Sequence, residues 1–220
     1  ATNSVQFATS PIFKAEVNRP FRSNPMAIDP DGDSLSFELV VPLSEPNTPV
    51  MGYTVPGDIS INPISGQMQW NTSTSPGVGD YVFAIRIIEW RCGFPVDSVI
   101  RDFQISLVST FTDTLNVFAP LSLSQDASGN YFTSVNPGDT INIQAVYYYS
   151  NTGSTGLYGE ALSLPNPPII QSSSGPGTAI ADFTWVTDSI HSRLHPYIFT
   201  FRGSSIASIP RMTDLTFLVY

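Results

Sequence analysis

Apolar and polar residues alternate along most of this chain, and stretches with helical periodicity are hard to find. Leu35, Phe37, Leu39 and Val41 fall on one face of an extended segment, as do Phe103, Ile105 and Leu107, with polar residues mostly between them. Tyr81, Phe83 and Ile85 make a third such face. Short runs rich in Val, Ile, Phe, Tyr and Thr are separated by Gly, Pro, Asn and Asp clusters, which predicts an all-β sandwich.

The pattern also repeats, with a period of about 115 residues. Trp70 followed by Tyr81-Val82-Phe83-Ala84-Ile85-Arg86 matches Trp185 followed by Tyr197-Ile198-Phe199-Thr200-Phe201-Arg202. Val17-Asn18 corresponds to Val135-Asn136, and the segment from Asp102 to Leu107 to that from Asp214 to Val219. Two tandem domains are predicted, 1–108 and 109–220, joined near Val108 to Asp113. Trp70 and Trp185 are expected as core plugs. Arg86 and Arg202, on the opposite strand face, are expected in ion pairs with a neighbouring strand.

Composition narrows the function. Of the 220 residues only 12% are charged, about half the usual globular share, while hydroxyl and amide side chains abound. The formal net charge of -9 lacks the basic footprint that nucleic acid or an anionic membrane requires. No apolar run approaches the ~18–20 residues of a transmembrane helix. Cys92 is the single cysteine, so no internal disulfide exists; it is expected as an incidental thiol at a hairpin tip. The chain reads as part of a longer polypeptide, ending on Leu218-Val219-Tyr220 in strand register.

The most distinctive chemistry is Ala27-Ile28-Asp29-Pro30-Asp31-Gly32-Asp33-Ser34, which puts three carboxylates on one turn before a strand. Such close like charges favour ionisation only where a cation or several donors neutralise them. Oxygen-rich turns suit Ca²⁺, which takes six to eight oxygen ligands. The alternative is a loop whose carboxylates cap backbone amides without metal. An EF-hand fails on spacing, because Ser34 stands where Gly and Val40 where Glu is needed.

These residues resemble a family. Ala27 to Phe37 is similar to the Ala-x-Asp-x-Asp turn and following strand of cadherin repeats, most closely the bacterial and dystroglycan-type cadherin-like domains. Ile61-Asn62-Pro63-Ile64-Ser65-Gly66-Gln67-Met68 resembles their hairpin, and Gly79 to Arg91 and Arg101 to Ile105 their last two strands. The wording Glu89-Trp90-Arg91 with Arg101-Asp102-Phe103-Gln104 resembles repeats in large surface proteins of gliding Bacteroidota, many exported by the type IX system. The resemblance covers 1–108, a cadherin-like sandwich with an acidic turn. It reaches 109–220, a divergent immunoglobulin-like sandwich, only through the internal repeat. It implies Ca²⁺ at the N-terminal pole held by Asp29, Asp31, Asp33 and Glu89. The family's Asp-Arg-Glu segment and Asp-Asn-Asp linker have no counterpart, so one ion is implied, not three.

The second domain carries Tyr147-Tyr148-Tyr149 where the first has its acidic turn. Three readings stay open: tyrosines stiffening the join, a platform for stacking sugars, or alternating strand residues. Asp-Ser/Thr-aliphatic triplets make Ser34, Ser98, Thr114, Thr140 and Ser189 candidate O-glycan acceptors of the kind seen in Bacteroidota, or ordinary turns entering strands.

Catalytic constellations are weak. His191-Ser192-Arg193-Leu194-His195 lacks the Glu of a zinc-hydrolase helix and runs into Pro196, so a solvated loop is expected. No Gly-x-Ser-x-Gly elbow occurs. The sequence therefore predicts a non-enzymatic repeat module of a cell-surface or secreted adhesin, a rigid spacer with neighbouring repeats, surface glycans or a protein ligand as partners. The competing reading is a carbohydrate-binding accessory module of a polysaccharide-degrading enzyme, with Tyr147 to Tyr149 or Trp90 as stacking residues. A subunit completed by strand exchange is weaker, since both repeats contain their own closing strand.

Overall fold

The structure, a computed structural model, describes residues 3–56, 58–74, 77–109, 115–118, 123–159, 164–206 and 211–220. The chain divides into two compact units, Ala1–Phe111 and Thr112–Tyr220. Both are built of strands, with only short 3-10 turns besides among the described residues.

In the first unit the strands are β1 (Gln6–Phe7), β2 (Ile12–Glu16), β3 (Pro20–Ser23), β4 (Ala27–Ile28), β5 (Ser34–Val40), β6 (Leu43–Glu45), β7 (Thr48–Pro49), β8 (Ile59–Ile61), β9 (Met68–Asn71), β10 (Gly79–Arg91) and β11 (Phe94–Val108). One sheet has the order β2-β11-β10-β5 and the facing sheet β3-β9-β8; β1-β4 and β6-β7 form two small ribbons. Alternation explains the packing. On β10 Phe83, Ile85 and Ile87 are buried at successive odd positions, and the same face continues to Glu89. Trp70 of β9 plugs the space between the sheets, edge-on to Tyr81 and Phe83 with ring centroids 5.3 Å away in each case. Such pairs add about 0.5–1.5 kcal/mol beyond area burial.

The second unit contains β12 (Leu115–Phe118), β13 (Ser124–Gln125), β14 (Tyr131–Thr133), β15 (Thr140–Gly159), β16 (Ile169–Val186), β17 (Tyr197–Ser205) and β18 (Met212–Val219). Strand β15 serves two layers. Its first half pairs with β16 and β12, its second half with β17, and the pairing with β16 shifts register between Tyr148 and Thr152. The layer begun by β17 continues through β18, β14 and β13. Phe183 of β16 meets Phe199, Phe201 and Phe217 of β17 and β18 at centroid distances of 5.2–6.3 Å. Trp185 packs edge-on to Tyr197 and Phe199, so it too is a core plug, 1% exposed.

The matched arginines both pair across strands. Arg86 reaches Glu38 of β5 at 2.8 Å, and Arg202 holds Asp214 of β18 with its Nε and Nη2.

Candidate metal centre at the pole of the first unit

The acidic turn closes between β4 and β5. Gly32 adopts φ +80° and donates its N–H to Asp29 O at 3.2 Å, a left-handed position glycine takes without strain. Asp29 is buried, and its Oδ1 accepts the backbone N–H of Asp31 at 2.9 Å and of Asp33 at 2.8 Å. Its Oδ2 is buried with no hydrogen-bond partner among the described residues. Amide capping and a free ligand oxygen thus coexist on one carboxylate.

Glu89 arrives from the other side. Period-two alternation on β10 sends it inward, in line with Phe83, Ile85 and Ile87, and it is 1% exposed. Its Oε1 accepts Val5 N–H at 3.2 Å, while Oε2 is buried without a partner among the described residues. One carboxylate oxygen each from Asp29, Asp33 and Glu89 lie within 4.8 Å of one another. Asp31, the fourth sequence candidate, turns elsewhere: its oxygens accept Asn3 N at 2.8 Å and Asn3 Nδ2 at 2.6 Å, and it lies outside that triad.

Sequence reasoning assigned no role here to Arg91, which stands two residues past Glu89. Its Nε meets Asp33 Oδ1 at 2.8 Å and its Nη2 meets Asp33 Oδ2 at 2.7 Å, with Asp31 Oδ2 at 3.4 Å. One guanidinium therefore faces a group of carboxylates. The signal in the sequence was a lone basic residue at the end of the strand that carries Glu89.

The electrostatics follow. Burial, then the neighbouring Asp29 charge, push the Glu89 carboxyl above the usual range, only partly offset by the Val5 hydrogen bond; Asp97 and Asp33 push the same way. Asp31 is held low, first by the Asn3 backbone N–H and side-chain amide and then by Arg91. Arg91 is raised by its hydrogen bonds and charge contact with Asp33. With a raised folded-state value, the stabilising contribution of Glu89 is complete below the ordinary carboxylate pKa of about 4.3. It is lost as pH rises through the raised value. We expect Glu89→Gln, which keeps the acceptor for Val5, to raise the melting midpoint of the first unit by about 5 °C at neutral pH in chelator. The difference should shrink on acidification toward about pH 4; calorimetry against pH checks this.

The donor set fits a hard dication: carboxylates only, two of which, Asp29 and Glu89, each keep a buried oxygen with no hydrogen bond among the described residues. Among the described residues this is the one grouping of three or more such ligands.

The remaining candidates fall apart from this cluster. Tyr147 and Tyr149 are core residues of the second unit, 0% and 6% exposed, with hydroxyls donating to Phe201 O and Ser154 O. A sugar platform or a join made by their rings is thereby corrected: alternation on β15 turns both inward and leaves only Tyr148 facing out. Trp90 is half-buried, its Nε1 donating to Ser36 Oγ. His191 is likewise not in a solvated loop. It is 7% exposed, accepts Asp188 N–H at Nδ1, places Nε2 2.7 Å from Pro165 O and packs against Trp185. Among the O-glycan candidates Ser98, Thr140 and Ser189 are exposed, Ser34 is half-buried against Trp90 O, and Thr114 lies outside the described residues. Cys92, exposed, forms with Gly93 the left-handed tip of the β10–β11 hairpin at φ 53° and 81°.

No protein-family model matches the chain. No curated protein matches it either. Solved structures of cadherin and titin domains do. The protocadherin gammaB7 EC3-6 cis-dimer structure shows 18% identity over 99% of this chain and 48% of its own, with a TM-score of 0.33. Human CDH23 EC21-23 shows 20% identity over 96% and 72%, with a TM-score of 0.29. The titin domains Z1Z2 in complex with telethonin show 9% over 100% and 98%, with a TM-score of 0.30. The chain spans about half the length of the protocadherin structures it matches. These likenesses are too distant to assign a residue or a ligand. The fold itself is all-β, with two consecutive units each built of packed sheets.

Proposed function

We propose that this chain is a non-catalytic repeat module of a cell-surface or secreted adhesin, whose first unit is stiffened by one Ca²⁺ at its acidic pole. The observation that carries the metal is the triad Asp29, Asp33 and Glu89, whose ligand oxygens lie within 4.8 Å of one another; two of these residues keep a buried oxygen, Asp29 Oδ2 and Glu89 Oε2, without a hydrogen-bond partner among the described residues. An unpaired buried charge is costly. A dication between these oxygens removes that cost and stabilises the folded unit by linkage. The Asp31 carboxylate beside the triad adds attraction without needing to ligate. The mechanical logic is that each sandwich buries its own core, so repeats act as rigid elements in series. Neighbouring repeats of the same polypeptide are then the first partners. A tip that binds glycans or protein is a property of the parent chain. The likeness of Glu89 to Arg91 and Arg101 to Gln104 to repeats of gliding Bacteroidota supports a surface location and export. The accessory-module reading loses its main support with the burial of Tyr147 and Tyr149.

Thermal melting of the full chain in Ca²⁺ and in EDTA tests the metal. At a hundredfold excess over the dissociation constant the first unit gains about 2.7 kcal/mol, which moves its midpoint by roughly 10 °C. Asp29→Asn keeps the Oδ1 that caps Asp31 and Asp33 and replaces only the free oxygen, so it should abolish the shift while leaving the fold intact. Equal midpoints in Ca²⁺ and EDTA for the unsubstituted chain remove the metal from this reading.

A further inference from the structure

Arg91 has no place in a simple cation site, because it brings a positive charge to the same oxygens. Its guanidinium grips both oxygens of Asp33 in a fork, at 2.8 and 2.7 Å, and leans on Asp31 at 3.4 Å. The backbone delivers Arg91 to the turn. The two-residue Cys92-Gly93 turn follows Arg91 directly, and a register irregularity between Glu89 and Trp90 re-aims the strand end just before it. Asp33 is thus claimed from two sides. One oxygen lies within 4.8 Å of ligand atoms of Asp29 and Glu89, while both oxygens are held by the guanidinium. Asp29 Oδ2 and Glu89 Oε2 belong to residues 6% and 1% exposed and have no partner among the described residues, Arg91 included.

We propose that Arg91 is a built-in competitor for the cation: the Arg91–Asp33 fork and the bound dication are alternative states of one pole. The inference rests on the metal reading above and adds what sets its affinity. A Ca²⁺ ligated by Asp33 lies about 2.3–2.6 Å from its oxygen. The guanidinium nitrogens already lie 2.7–2.8 Å from the two Asp33 oxygens. Dication and guanidinium would then stand within a few ångströms of each other and repel. Loading therefore displaces the fork, and Arg91, 43% exposed at its side chain, has solvent to swing into. Below the loading concentration Arg91 neutralises part of the pole and keeps the turn closed. Above it the ion takes over. The internal charge thus sets the affinity of the pole, raising the Ca²⁺ concentration needed for half-loading.

The test is calcium titration of the full chain by calorimetry, with melting in EDTA and in saturating Ca²⁺, for the unsubstituted protein, Arg91→Gln and Arg91→Lys. Removing the competitor should tighten Ca²⁺ binding about tenfold or more. The same change should lower the EDTA midpoint of the first unit, where the carboxylates lose their internal partner. Arg91→Gln therefore widens the gap between the two midpoints from both ends. Arg91→Lys, which keeps the charge and loses the fork, should fall between. Ca²⁺ binding by Arg91→Gln but not by the unsubstituted chain removes the metal from the natural sequence and overturns the two alternative states with it. Binding by the unsubstituted chain that Arg91→Gln leaves unchanged or weaker overturns the competition and spares the metal site. No binding by either overturns both.

Discussion

Gly203→Ala is expected to destabilise the second unit strongly while leaving the first unchanged. A Cβ built on Gly203 would stand 2.1 Å from Cδ1 of the Tyr147 ring. That ring is 0% exposed, and its hydroxyl donates to Phe201 O at 2.9 Å, two residues from Gly203 on the same strand. The ring is pinned at both ends and cannot swing away. Either β17 shifts, which disturbs its pairing with β15 and β18, or Tyr147 leaves its rotamer. Overpacking of this kind costs about 3 kcal/mol, which lowers the midpoint by roughly 10–20 °C. Peptide-resolved amide exchange on the full chain should show lost protection between Leu115 and Tyr220 only. Adding Tyr147→Leu should recover part of the loss, since the pair is coupled. Unchanged protection in Gly203→Ala would mean that the ring moves freely. Gly153 repeats the arrangement under Tyr149, with Cζ 2.0 Å from a built Cβ.

The second large effect is expected from Asp214→Ala. Arg202 and Asp214 stand directly opposite on β17 and β18, with side chains 11% and 1% exposed. Burial alone would lower the Arg202 value, but hydrogen bonds and charge contact with Asp214 outweigh it and raise the net. Removing Asp214 leaves a buried guanidinium without its main counter-charge, a loss of about 3–5 kcal/mol. The repeat supplies the control. Arg86 holds the corresponding position in the first unit, but its partner Glu38 comes from the edge strand β5, and the two side chains are 42% and 46% exposed. Glu38→Ala should therefore cost under about 1 kcal/mol. Denaturant unfolding of the two variants side by side checks both, and equal losses would contradict the burial argument.

Much of the site was legible as spacing. Asp29, Asp31 and Asp33 stand two apart on one turn, and period-two alternation along β10 sends Glu89 to the face of Phe83, Ile85 and Ile87. Those are local facts, and local sterics decide them. Which carboxylate oxygens stay free was not legible. That depends on Asn3 and Val5 reaching the turn and Glu89 from the start of the chain, and on Arg91 choosing Asp33. The tyrosine row was legible as spacing too: Ile141, Ile143 and Ala145 share its face, with polar Asn142 and Gln144 between them, so alternation on β15 sends Tyr147 and Tyr149 inward. His191 could not be placed from its neighbours in sequence, because its cover comes from Trp185 and from Pro165 O, 26 residues away.

The sequence by itself determined the strands, their duplication and the gathering of negative charge, since each follows from side-chain period and turn chemistry within a few residues. Tertiary structure alone decided which polar atoms lost water without gaining a partner, because desolvation is set by segments that meet only after the sheets have closed.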